Sequence, residues 1–304
     1  MKRWVKKTLI GVGVVAVLLG GGLGSYVYAL TSAYDKSMDK VYQVSVPKLE
    51  RSTDPDVLAR GKHLAESLGG CATRDCHGAD LAGGKKIEIG PIGTFCGPNI
   101  TSGGLGAAYS DAELARLIRH GVKKDGRSVR FMPAHEINWL PESDIVALIS
   151  MIRAAPAVNR AIEPTQIKTL GKVLDRRGMI PIDIARRINH EKIELAPPPT
   201  ATAAYGRFIG KLCTGCHGEK LSGGPIPGAP PNMPVPTNIT PHETGLKSWT
   251  FEDFERLLNT GIRKNGTKVD SMMPTEALGK MDAVEKHALW EHLQTVPAVA
   301  FGNR

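Results

Sequence analysis

The sequence has few aromatic residues and few cysteines. Its 304 residues include six Phe, six Tyr, four Trp and five Cys. So few cysteines exclude a disulfide-rich scaffold. A hydrophobic share of 41% with 23% charged residues excludes a disordered or collagen-like chain. The length and composition are those of a globular protein with more than one small module.

Acidic residues are outnumbered by basic ones, 30 against 39, which gives a net charge of +9. The excess is uneven, because residues 1–50 carry +4 and residues 156–200 carry +3, whereas 51–155 and 201–304 carry only +1 each. A nucleic-acid-binding domain would concentrate positive charge on its folded part. We therefore expect no nucleic-acid partner.

One long stretch lacks charge altogether, from Thr8 to Leu30. Its 23 residues match the roughly 20 that span a bilayer. Four basic residues precede it and would keep that end in the cytoplasm: Lys2, Arg3, Lys6 and Lys7. The pattern predicts an anchor and stalk over residues 1–50, single-pass in the cytoplasmic membrane, with the remainder on the periplasmic side. The alternative is a cleaved signal peptide, for which Val27-Tyr28-Ala29 is a passable cleavage site.

Residues 51–155 and 201–304 repeat each other at a shift of 139 to 141 positions. Three matched segments are Cys76-His77-Gly78 with Cys216-His217-Gly218, Asn99-Ile100-Thr101 with Asn238-Ile239-Thr240, and Met132-Pro133 with Met273-Pro274. Collinear similarity over about 100 residues indicates two duplicated domains rather than a solenoid. We call them the first repeat and the second repeat, and residues 156–200 the connector.

Capping signals and periodicity predict a mainly α fold. Capping boxes at Ser110 and Thr250 open helices that glycines end at 121 and 261. A terminal helix follows in each repeat, near 142–154 and 282–295. The connector holds a short amphipathic helix, ending near Gly178, that either braces both repeats or lies on anionic lipid.

The second repeat contains Cys213-x-x-Cys216-His217. Two thiols at this spacing can form thioethers to the vinyl groups of a haem, while the histidine binds its iron. A zinc site would need four closed ligands, and this repeat has no second pair of cysteines. A redox dithiol is the other alternative. The motif favours covalently bound haem c.

The first repeat departs from this spacing, since its motif is Cys71-x-x-x-x-Cys76-His77. Four intervening residues can still reach both vinyl groups if the loop bulges. Alternatively, Cys71 pairs with Cys96 in a disulfide and Cys76 alone holds the haem. The residues leave both arrangements open.

Met132 and Met273 lie in equivalent loops, about 55 residues after their histidines. Methionine is a soft, neutral ligand that raises the potential of haem iron. His135 and Met272 are rival ligands. The Met-Pro pair in both repeats favours Met132 and Met273, so the predicted iron ligands are His77, Met132, His217 and Met273. The other histidines are expected to pack or to lie on the surface, and the tryptophans to pack on the haem or in the core.

Together these motifs resemble class I c-type cytochromes, and more closely the membrane-anchored di-haem cytochromes that serve as electron-transfer subunits of bacterial respiratory chains and dehydrogenases. The resemblance implies two tandem domains, each a few helices around one haem. It also implies that a backbone carbonyl near Pro98 accepts the ring N–H of the proximal histidine. The second repeat has Thr237 there, so this contact carries over less directly.

The resemblance implies a function in electron transfer rather than catalysis. The expected partners are an oxidase, a quinol-oxidising complex or a dehydrogenase. One alternative is a di-haem peroxidase-like enzyme that keeps one iron open to peroxide. Another is a chiefly structural haem subunit of a larger membrane complex.

Overall fold

The computed structural model describes residues 3–45, 48–230 and 232–304, with side chains in the first helix described at Trp4 and from Leu19 onward. It is mainly helical, as predicted. The helices are α1 (Arg3–Asp39), α2 (Pro55–Glu66), α3 (Asp111–His120), α4 (Ala134–Ile137), α5 (Glu142–Ala154), α6 (Thr169–Arg176), α7 (Ala203–His217), α8 (Phe251–Thr260), α9 (Thr275–Leu278) and α10 (Ala283–Thr295). An antiparallel sheet joins β1 (Ile87–Ile89), β2 (Gly93–Phe95) and β3 (Gln166–Ile167).

The predicted helix boundaries in the repeats are confirmed. Ser110 caps α3 and Thr250 caps α8, each in a reciprocal capping box. Gly121 and Gly261 end these helices with φ of 63° and 71°, a left-handed conformation that glycine adopts without steric cost. Helix α5 starts and ends as predicted, and α10 begins one residue later than predicted.

Two helices that the sequence reasoning missed, α2 and α7, cross the terminal helix of their own repeat at a glycine. A Cβ on Gly61 would lie 2.1 Å from the Ala147 carbonyl oxygen, and a Cβ on Gly206 would lie 1.8 Å from that of Ala288. No side chain fits at such a distance, so the glycines let the two backbones touch. The same crossing therefore occurs in both repeats.

One apolar core runs through both repeats. Leu64 of α2 and Trp139 belong to the same buried cluster as Ile209 of α7 and Leu289 of α10. The Trp139 ring lies 5.9 Å from the Phe208 ring of the second repeat, centroid to centroid. Trp139 is fully buried, which confirms the expectation that it packs.

The connector lies against both repeats, as the brace interpretation predicts. Strand β3 extends the hairpin of the first repeat, with Ile167 opposite Gly93. Glu194 forms an ion pair with Arg207 of α7. The Ala196 N–H donates to the Trp139 carbonyl at 2.9 Å. Residues 156–200 thus join the two repeats through backbone, charge and apolar contacts.

The C-terminal part of α1 packs on the connector. Tyr34 and Met38 are buried against Leu174 of α6 and its neighbours. Within the described residues, no helix combines the length and apolar character needed to cross a bilayer. Much of the predicted anchor, residues 8–18, lies outside the residues whose side chains are described.

Candidate cofactor sites

In the second repeat the cysteine motif forms the last turn of a helix. Helix α7 continues through Cys213 and Cys216 to His217, so the two thiols are three residues apart and lie on one helix face. Burial raises the pKa of Cys213 to about 12 and also raises that of Cys216. Both thiols are therefore neutral. Dithiol redox chemistry requires thiolates, so this environment disfavours that alternative. Among the described residues these cysteines belong to no group of three or more metal-ligating side chains, which disfavours zinc.

The first repeat reaches a similar arrangement through a bulge. Helix α2 ends at Glu66, and the Cys71–Cys76 segment is a series of turns. The bulge is closed where the His77 N–H donates to the Cys71 carbonyl at 3.0 Å. A Cβ on Gly97 would lie 1.4 Å from the Cys76 carbonyl oxygen, so β2 and its following loop press against the motif. The bulge that two thioethers require is present.

All five cysteines are free thiols in the structure, so Cys71 and Cys96 form no disulfide here. The backbone of Cys96 is tied to the connector, because its N–H donates to the Thr165 hydroxyl at 3.1 Å. Cys71 instead packs against the core that both repeats share. Burial raises its pKa to about 12.

Each motif histidine is oriented by a backbone carbonyl. The distance from Nδ1 to the acceptor oxygen is 2.8 Å between His77 and Pro98, and 2.7 Å between His217 and Thr237. Because a carbonyl can only accept, Nδ1 carries the hydrogen and Nε2 keeps its lone pair. Burial lowers the pKa of both histidines, which favours the neutral ring that binds a metal. The Thr237 carbonyl thus accepts from His217, although the resemblance implied this contact less directly for the second repeat.

The predicted methionine ligands occupy matching environments. Met132 and Met273 are partly buried and pack against the shared core, as do Cys71 and Cys213. Met272 is 51% exposed, which disfavours it as a ligand.

His135 faces another direction. It lines a cleft of about 990 Å³ between the connector and α7, where Arg187 and Lys211 also lie. Burial lowers the pKa of His135 to about 4. Its buried Nδ1 has no hydrogen-bond partner among the described residues.

Each repeat thus offers two neutral thiols, one neutral imidazole with a free Nε2 and one half-buried thioether. This donor set fits a covalently attached haem c, and the residues that would hold it are Cys71, Cys76, His77 and Met132 in the first repeat and Cys213, Cys216, His217 and Met273 in the second.

Backbone strain recurs beside both motifs and was missed by the sequence reasoning. Leu81 and Leu221 both have φ of 58°, a conformation that costs a non-glycine residue roughly 1–2 kcal/mol. Each accepts the same hydrogen bond, Leu81 from the Ile100 N–H and Leu221 from the Ile239 N–H, both at 2.9 Å. Both leucines begin a Leu-x-Gly-Gly pattern, at 81–84 and 221–224. The pattern indicates a turn, but it does not predict a positive φ at the leucine.

A group of His63, Asp282 and Glu285 is the one place among the described residues where three such side chains converge as metal ligands could. Glu285 is fully buried, and its oxygens are already occupied. They accept from His63 Nε2 at 2.9 Å, from Arg60 at 3.2 Å and from the Asp282 N–H at 3.1 Å. The group is therefore an ion-pair network between α2 and α10. His63 packs between the repeats, as expected of a histidine outside the motifs.

The chain matches none of the protein-family models. It is 32% identical over 274 residues to the cytochrome c subunits of quinone-dependent alcohol dehydrogenases from Gluconacetobacter polyoxogenes and Komagataeibacter europaeus. The match covers 81% of this chain and 57% of each relative, so the chain spans a little over half of their length.

A shorter match is to the fructose dehydrogenase cytochrome subunit of Gluconobacter japonicus, 29% identical over 103 residues, which are 32% of this chain and 21% of that protein. The relatives are thus cytochrome c subunits of dehydrogenases. This similarity agrees with the resemblance to c-type cytochromes that the motifs indicate.

Proposed function

We propose that this protein is a di-haem c-type cytochrome that carries single electrons for a membrane-bound dehydrogenase. One haem is held by each of two tandem domains, residues 51–155 and 201–304. The dehydrogenase is preferred over an oxidase or a quinol-oxidising complex as partner, because the relatives are dehydrogenase subunits.

The observation that carries the proposal is the matched pair of histidine contacts. His77 and His217 each direct Nδ1 to a backbone carbonyl, at 2.8 and 2.7 Å, directly after a cysteine motif. A histidine that merely packs has no need of this geometry twice at equivalent positions. Its recurrence favours two iron-binding sites.

A bound haem supplies one-electron Fe(III)/Fe(II) chemistry, with the electron coming from the dehydrogenase and leaving to the next acceptor. The cysteines fix its position by covalent attachment. Pro98 and Thr237 hold the ring orientation of the histidines, and Met132 and Met273 would supply the second protein ligand to each iron. An iron held in this way would leave no place for a substrate, so the proposed function is that of a carrier rather than an enzyme.

The proposal includes a membrane anchor formed by the N-terminal part of α1. Leu19 and Leu23 are 70% and 64% exposed, and a Cβ added to any glycine from Gly20 to Gly22 would meet nothing within 4 Å, so this part of α1 projects away from the rest of the chain. An exposed apolar helix segment suits a lipid environment. We propose a single-pass anchor in the cytoplasmic membrane, with the haem domains at its periplasmic face.

Haem counting tests the proposal directly. Intact-protein mass spectrometry after thiol alkylation should show two haem additions, one free thiol at Cys96 and an intact N-terminus. A colourless protein, or one haem per chain, would refute the di-haem assignment. Co-purification in mild detergent with a dehydrogenase at fixed stoichiometry is expected, and its absence would refute the partner.

Ligand challenge separates the carrier from a peroxidase-like enzyme. With both irons closed by His and Met, carbon monoxide should leave the reduced spectrum unchanged on mixing. Rapid carbon monoxide binding by one haem would show an open iron and contradict the carrier function.

A further inference from the structure

The first repeat contacts the cysteine motif of the second repeat through α4. A Cβ on Gly215, between Cys213 and Cys216, would lie 3.1 Å from Glu136 Oε1. The backbone of Glu136 is fixed, because its carbonyl accepts from the Trp139 indole N–H, and Trp139 is fully buried against Phe208. The Glu136 carboxylate is therefore held beside the Cys213–Cys216 turn.

Within the part of the chain that the structure describes, no Lys or Arg forms an ion pair with this carboxylate, although the positive charge of Arg304 acts on Cys216 in the opposite direction. Its one ion-pair partner there is His135, whose Nε2 lies 3.8 Å from Oε1. Burial lowers the pKa of His135 to about 4, so that ring is neutral near pH 7. Arg187, Lys211 and Arg304 line the same cleft without forming an ion pair with Glu136. Burial also raises the pKa of Glu136 to about 7, as expected for a poorly solvated carboxylate.

The second repeat has a different residue at the equivalent position. The residue four positions after Met273 is Ala277, whereas four positions after Met132 it is Glu136. The acidic residue of α9, Glu276, is exposed to solvent. Helix α9 therefore supplies no matching buried carboxylate, and the acid within the first motif, Asp75, is exposed.

A negative charge beside a haem favours the oxidised form, because Fe(III) carries one more positive charge than Fe(II). The effect is large where water is excluded and small where water screens it. We propose that Glu136 of the first repeat lowers the reduction potential of the haem held by Cys213 and Cys216. This inference rests on the proposed function. Glu136 acts through its charge on the reduction potential and is not a catalytic residue.

The test is a spectroelectrochemical titration of the intact protein at about pH 8.5, above the pKa of Glu136. The Glu136→Gln variant should raise one of the two reduction potentials and leave the other unchanged. A Met273→His variant shows which of the two reduction potentials belongs to the second repeat, since histidine ligation lowers the potential relative to methionine. Glu136→Asp should keep the wild-type potential if charge, rather than packing, is responsible.

Glu276→Gln is the matched control. It removes a carboxylate three residues after Met273 that water screens, and both potentials should stay at their wild-type values. Two attached haems with both potentials unchanged in Glu136→Gln would overturn the inference and leave the proposed function standing. An equal shift of both potentials would also overturn it. Absence of haem from the wild-type protein would overturn the proposed function itself.

Discussion

The residues that follow the methionine are covered more completely in the first repeat than in the second. Ala134 and Trp139 after Met132 are fully buried, covered by the connector and α7. The matching positions after Met273 include Lys280, which is exposed, and Met272 beside the methionine is 51% exposed. Both methionines are partly buried, but the residues around them are more exposed in the second repeat.

This difference shows how two similar repeats come to have different surroundings. The donor set of thiols, imidazole and thioether is the same in each repeat, so both sites have the same basic chemistry. What differs is the neighbourhood, since the first repeat is enclosed by the connector and supplies Glu136 to the second.

Removing the cysteine pairs should have the largest effect. Cys213→Ala with Cys216→Ala should lower the haem content from two to one per chain, measured by the pyridine haemochrome assay, because nothing else attaches that haem. Cys71→Ala alone should keep two haems and shift one reduced α-band, since one vinyl group then stays unsaturated. An unshifted band would show that Cys71 carries no thioether. Cys96→Ala is the control and should change neither quantity.

The glycine crossings test whether the repeats are equivalent in packing. Gly61→Ala and Gly206→Ala should each lower the free energy of unfolding by about 2–3 kcal/mol, because the new Cβ overlaps a backbone carbonyl that cannot move aside. Urea unfolding measures this. Gly22→Ala, whose Cβ meets nothing within 4 Å, should change it by less than about 0.5 kcal/mol. Unequal losses in Gly61→Ala and Gly206→Ala would contradict equivalent crossings.

The ion-pair network tests the contact between the repeats. Glu285→Gln should lower the free energy of unfolding by about 3 kcal/mol, because Arg60 and His63 then lose a fully buried partner. Glu291→Gln, which breaks an exposed pair with His287, should cost less than about 1 kcal/mol. Equal costs would show that the buried network does not stabilise the interface.

The same network predicts a pH dependence. The hydrogen bond that His63 donates to the Glu285 carboxylate raises the pKa of His63 above 6.5. Its stabilisation is therefore complete below pH 6.5 and is lost as the pH rises through the raised value. The free energy of unfolding should fall over that range in the wild type and change less in Glu285→Gln. Identical profiles would exclude His63 as the source.

Local signals account for the part of the fold that sequence reasoning predicted. The capping boxes at Ser110 and Thr250 and the glycine after each helix act within a few residues, so they can be read directly from the chain. The pairing of His63 with Glu285 cannot, because the two residues are 222 positions apart and meet only when the repeats pack. Glu136 is a similar case, since its place beside Gly215 depends on where α4 docks.

The candidate site was predicted from the types of its residues. One contact does not depend on residue type, because it is made by the backbone. Thr237 replaces the proline of the first repeat, yet the contact to His217 is present because its acceptor is the backbone oxygen. The glycine contacts with the Cys76 carbonyl were missed, because spacing alone does not show which loops press on a motif.

The smallest expected effect is that of replacing the side chain of Thr237 or Pro98. Thr237→Ala and Pro98→Ala both keep the backbone carbonyl that accepts from the proximal histidine, so the ring orientation and its basicity should be retained. Both reduction potentials should stay within measurement error, and the free energy of unfolding should change by less than about 0.5 kcal/mol. A potential that shifts only in Thr237→Ala would mean that the threonine side chain itself acts on the second site, and the two histidine contacts would then be alike in distance but different in function.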